Sequence, residues 1–178
     1  MKVVKQLYDH CFRYFGASGE LYFSEAADGL LAVFPPTRER GWWTYVTLEL
    51  HPYGGVECLL YSYQFDRTYL SHLGEVAAQV IARWGEKEGR LGNGDVFPLR
   101  KPLGKGSRLQ YLLATPADYE GEGFDLFTNG ACVVWFQMLH AISESEAGFL
   151  QREGLEALER KFAVAGVNSL DVMRPPVI

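Results

Sequence analysis

The stretch from Ala131 to Ile142 constrains the fold of this chain more than any other. Read as a strand, it is apolar on both faces apart from Gln137 and His140. Such a strand belongs inside a sheet that is covered above and below. Covering helices are therefore required, and the pattern supplies them. Leu70, Leu73, Val76, Ala77, Val80, Ile81 and Trp84 form one apolar stripe, with His72, Glu75, Gln79, Arg83 and Glu86 on the opposite side. Val4, Leu7, Tyr8, Cys11 and Phe15 recur at helical spacing and Gly16 stops the run. Ser143 with Glu146 makes a capping box, and a helix broken at Gly154 continues through Leu155, Leu158 and Phe162.

Further strands are expected at Leu30 to Phe34, ended by Pro35 and Pro36, and at Arg108 to Leu113. Trp42 to Leu50 and Val56 to Tyr63 read as a hairpin turning through His51 to Gly55. Residues 85–107 hold six glycines and two prolines and read as a long loop. Strands and helices do not alternate regularly. The fold class is α+β, a mixed and largely antiparallel sheet covered by helices, and 178 residues suit a single domain over 1–178.

The start of the chain lacks a signal peptide's apolar stretch, no apolar run reaches membrane-spanning length, and Cys11, Cys58 and Cys132 are odd in number and far apart. A cytoplasmic protein without disulfides or membrane contact is expected. A net charge of −5 disfavours nucleic acid. The order of residues in Gly104-Lys105-Gly106-Ser107 is wrong for a phosphate loop, and Gly92-Asn93-Gly94-Asp95 lacks a third glycine, so both read as turns. His72 and Glu75 alone do not make a metal site. His140 and Cys132, eight residues apart on one strand, are separated by roughly 26 Å and form no dyad. No catalytic set, metal or cofactor is expected. The alternative is a small-molecule-binding protein or small enzyme with a pocket under the 85–107 loop, using Asp95, His140 or Cys132.

Two features point to a protein partner. Eight aromatic residues crowd Trp42 to Tyr69, and a hairpin that hides one face leaves some of them at the surface. Charge is also segregated: Arg83 to Arg108 carries seven Lys or Arg against three acids, and Leu109 to Gln151 carries six acids and no Lys or Arg. The expected anchors are Trp43, Tyr45 and Tyr53, with Asp118, Glu120 and Glu122 meeting a basic partner. The chain itself is expected to be a monomer or weak dimer.

Three patches carry a family resemblance. They are Trp43-Thr44-Tyr45-Val46-Thr47 with Tyr53-Gly54; Gly94-Asp95 with Pro102-Leu103, Ser107-Arg108-Leu109-Gln110 and Leu112-Leu113; and Phe136-Gln137 with Ser143-Glu144, followed by Met173-Arg174 as a closing strand. In order and spacing, over 42–174, the chain resembles the suppressor-of-fused domain family, as a bacterial single-domain member. The resemblance implies a binding protein without catalytic machinery. The family's animal member holds a transcription factor by gripping an extended peptide, and bacterial members are thought to include immunity proteins that neutralise toxins. It also implies a buried structural role for Gln137. This chain departs from the animal pattern by ending before a second domain and by carrying Gly55 where the family has an acid after its Tyr-Gly turn.

Overall fold

A computed structural model describes residues 2–86 and 89–178. In chain order these form α1 (Lys2–Phe15), β1 (Glu20–Ser24), β2 (Gly29–Phe34), β3 (Trp43–Thr47), β4 (Val56–Ser62), α2 (Thr68–Gly85), β5 (Val96–Pro98), β6 (Leu109–Pro116), β7 (Leu126–Thr128), β8 (Val133–Ser143), α3 (Glu144–Glu153) and α4 (Leu155–Ala165). The strands follow the order β1-β2-β3-β4-β8-β6-β5, with β7 also paired to β8. β4 and β8 run parallel, and β1/β2, β2/β3, β3/β4, β5/β6 and β7/β8 are antiparallel. The α+β class and mixed, mostly antiparallel sheet are as expected, and β8 has neighbours on both sides.

The chain packs as two units, Met1–Leu91 with Pro116–Met138 and Gly92–Thr115 with Leu139–Ile178. In the first, Tyr45 lies against Tyr69 of α2, at 5.3 Å between ring centroids. Phe34 lies against Tyr8 and Phe15 of α1, at 5.3 and 5.0 Å. The register pairs Val33 with Tyr45 and Phe34 with Thr44. Consecutive residues face opposite ways, so α1 and α2 cover opposite faces of the hairpin. Every residue of β4 is consequently buried, which corrects the expectation that one hairpin face stays open. Helix α2 packs closely at Gly74, where a Cβ would collide with Ser24 Oγ. The second unit is built on Leu113, Ile142, Ala147 and Leu158, with Phe149, Leu155 and Phe162 against them. Ser143 caps α3 in the expected box.

Several elements differ from the sequence reading. β1, β5 and β7 were not expected: two are three residues long, and β1 has no clean alternation. β5 lies inside the glycine-rich 85–107 stretch, of which residues 87 and 88 fall outside the described residues. His72 is buried, not on a solvated stripe. β8 is not covered throughout, since Val133 and Trp135 are exposed. Met173 and Arg174 form no strand. Arg174 is instead buried, and its guanidinium forks onto Glu146 through Nη1 at 2.7 Å and Nη2 at 3.0 Å.

Candidate functional site

Residues 117–125, between β6 and β7, carry the acidic run from Asp118 to Asp125. A solvated loop of this composition would be mobile, but Glu120 is drawn inward. Arg40, in the β2–β3 connection, donates to it through Nε at 3.1 Å and Nη2 at 2.7 Å. Tyr61 of β4 donates its hydroxyl to the same carboxylate at 2.7 Å. Nη2 of Arg40 also reaches Thr44 Oγ1 at 2.7 Å, and the guanidinium lies 4.1 Å over the Phe15 ring. Burial, and then the Glu120 charge, push the Tyr61 hydroxyl far above its ordinary pKa, so it stays a donor.

This clamp positions Tyr119. Its ring stacks on Tyr61 at 5.9 Å and an interplanar angle of 15°, and lies 6.2 Å from Trp42, yet it remains 41% exposed. Asp118 and Glu122 flank it at the surface. Arg40 and Glu120 cancel, leaving a fixed aromatic side chain between two solvent-facing carboxylates. The Glu120 side chain, expected as a partner contact, is only 2% exposed and serves here as the clamp beneath the loop. Its partner stands 80 residues away, and no local pattern announces such a pair.

Tyr45, expected as an anchor, is enclosed as well. It is fully buried, its hydroxyl accepts from the Asp66 N–H at 2.8 Å, and burial pushes its pKa up to about 12. It stacks on Phe65 and Tyr69. Trp43 keeps part of its surface, with Phe65 against it at 5.3 Å. Tyr53 sits at the other end of the hairpin, half-buried in the turn, so the structure does not bring the expected anchors together.

The turn that carries Tyr53 depends on a residue the sequence reading missed. The buried Glu57 carboxylate accepts from Thr47 Oγ1, from the backbone N–H of Leu50 at 3.1 Å and of His51 at 2.9 Å, and bonds His51 Nδ1 at 2.9 Å. Gly54 and Gly55, at φ +101° and +69°, complete a bend that L side chains resist. A charged residue within an apolar strand was the available signal.

The histidines and thiols are structural in their surroundings. His10 bonds the Phe124 carbonyl at 2.9 Å and stacks on Phe136 at 5.4 Å. His140 Nε2 lies 2.6 Å from Thr115 Oγ1, and burial lowers its pKa to about 4. Burial raises the Cys11 and Cys58 thiols, opposite to what a nucleophile needs. Cys132 bonds Asn129, and Asp95 accepts from the Gly92 N–H at 2.9 Å within its own turn. Gln137 Oε1 is enclosed and, among the described residues, has no hydrogen-bond partner. Among the described residues, no group of three His, Cys, Asp or Glu could hold a metal ion, and no helix is long and apolar enough to cross a membrane.

No family model and no curated protein matches the chain. Solved structures do. A suppressor-of-fused homologue from Neisseria gonorrhoeae superposes with a TM-score of 0.84 at 20% identity, covering 100% of this chain and 98% of that one. The Sufu–Fu complex gives 0.67 at 14% identity, covering 98% and 92%. Drosophila Suppressor of Fused gives 0.66 at 15% identity, covering 98% of this chain and 51% of that one. The chain has the suppressor-of-fused fold.

Proposed function

We propose that this chain is a non-catalytic protein-binding module, a single suppressor-of-fused domain over 1–178. In this reading it acts in a bacterial cytoplasm, as a toxin-neutralising (immunity) or regulatory protein that occludes its partner. The fold supports a binding role, since one structure with this fold is the Sufu–Fu complex. The observation that carries the reading is the clamped loop. Arg40 and Tyr61 hold Glu120, so Tyr119 is presented at fixed geometry between Asp118 and Glu122. A rigid aromatic anchor with a charged rim costs little entropy when a partner docks, and its sign selects a basic partner. Trp43 and Tyr53 remain accessible as secondary anchors.

The test is co-purification with the product of the neighbouring reading frame, followed by titration and a growth-protection assay. Wild type is expected to bind and protect. Tyr119→Ala, and Asp118→Asn with Glu122→Gln, are expected to bind roughly tenfold or more weakly while melting within a few degrees of wild type. Wild-type affinity in those variants would remove the loop as the site. Absence of both complex and protection would end the neutralising reading.

A further inference from the structure

The face of the hairpin turned toward α2 carries a second feature, an open groove of about 300 Å³ at the ends of β1, β2 and β3. The rings of Tyr22, Trp43 and Phe65 line it, with Pro35 and the Glu20 carboxylate beside them. Phe65 is 44% exposed, although it packs on Trp43 at 5.3 Å and lies parallel to buried Tyr45 at 6.3 Å. Glu20 and Tyr22 are two residues apart on β1 and so share a face, and Tyr22 donates its hydroxyl to Glu20 Oε2 at 2.8 Å. That bond raises the Tyr22 pKa, and the Arg67 charge opposes the rise.

Aromatic rings carry negative π-density on their faces, and the Glu20 carboxylate adds a full negative charge. An anion is repelled here, and a purely apolar group would strip water from Glu20 without replacing it. A cation is attracted by both components. Among biological cations, guanidinium matches best, because it stacks flat on rings while forking to a carboxylate. We propose that this groove is a recognition pocket for an arginine side chain of a basic protein partner, with Trp43 and Phe65 as the stacking surfaces and Glu20 as the counter-charge. The proposal rests on the protein-binding reading and supplies a second contact, apart from the Tyr119 loop.

The experiment titrates the ¹⁵N-labelled full chain with an acetylated, amidated Ser-Arg-Ser-Arg-Ser peptide. The indole N–H signals are followed, with that of Trp43 assigned through Trp43→Phe. Saturable movement of the Trp43 signal is expected. Replacing both arginines by citrulline, which keeps the shape without the charge, and the Glu20→Gln variant are each expected to weaken binding about tenfold. Arg67→Ala, which removes a nearby competing cation, is expected to tighten it. Equal response to the arginine and citrulline peptides, or a Trp43 signal unmoved at millimolar peptide, overturns the proposal. If the amides of 118–122 respond while Trp43 does not, the pocket alone is wrong. If neither responds, the basic-partner reading falls with it.

Discussion

Each unit of this molecule contains one buried arginine forked onto one buried glutamate, and the two pairs do different work. Arg174 and Glu146 tie the end of the chain to the start of α3. The same carboxylate also takes the N–H groups of Ser143 and Val177, at 2.8 and 3.0 Å, and Arg174 Nη2 reaches the Ala141 carbonyl at 3.0 Å. That knot fixes the C-terminal tail, through Val177 on the same carboxylate and Arg174 on the Pro175 carbonyl. Arg40 and Glu120 use the same chemistry to pin a surface loop, and their visible product is a presented Tyr119. Similar pairs therefore hold a chain terminus in one unit and an exposed loop in the other. What each pair holds in place, rather than its own energy, separates the two roles.

The largest effect should come from breaking the structural pair. Arg174→Ala leaves Glu146 charged and buried, and should cost about 3–5 kcal/mol, roughly 10 °C in Tm at this size. If Arg40→Ala raises amide hydrogen exchange across the whole chain instead of mainly around the 117–125 loop, the distinction fails.

The second effect is pH dependence, also centred on the second unit. His140 feels burial first and then the Arg174 charge, which bring its pKa from 6.5 to about 4. The unfolded chain therefore takes up this proton first, and stability falls as pH drops from about 6.5 toward 4, by of order 2–3 kcal/mol. Glu146 acts lower. Burial alone would raise its pKa, but the bonds from Arg174, Ser143 and Val177 outweigh that and hold it below 4.5, so its contribution is lost only in stronger acid. Urea midpoints between pH 7 and 4.5 should show a flatter slope in His140→Gln than in wild type, with a remainder from His10, whose pKa is also lowered. An unchanged slope would refute the assignment.

Glu120→Gln should cost less, about 2 kcal/mol, with faster amide hydrogen exchange confined to 117–123. Exchange that spreads to β4 would show that this pair too is a fold element. The smallest effect on stability, under about 1 kcal/mol by urea titration, is expected for Tyr119→Ala.

Much of the fold was legible because it is written in local periods. The stripe of α2, the two-faced apolar run of β8 and the Ser143–Glu146 box each declare themselves within a few residues. β5 and β7 did not, because three residues cannot show a period. The site was less legible. Alternation separates Trp43 from Val46 by face, but it does not say that helices cover both faces, and so Tyr45 was expected at the surface. Arg40 with Glu120, and Arg174 with Glu146, are pairings across 80 and 28 residues. Only the folded topology creates them. Glu57 belongs to the same class: its donors converge on it only once the turn has closed.

One earlier feature bears on how the molecule behaves in a crowded solution. β1 ends the strand order and shows Leu21 and Phe23, 55% and 62% exposed, on one side. An oily, unfinished margin of that kind invites a passing chain to zip onto it. Glu20 and Glu25, both exposed at its two ends, give approaching copies a reason to stay apart, and that defence thins as ionic strength rises. Storage in concentrated salt would thus remove the guard while leaving the adhesive strip in place.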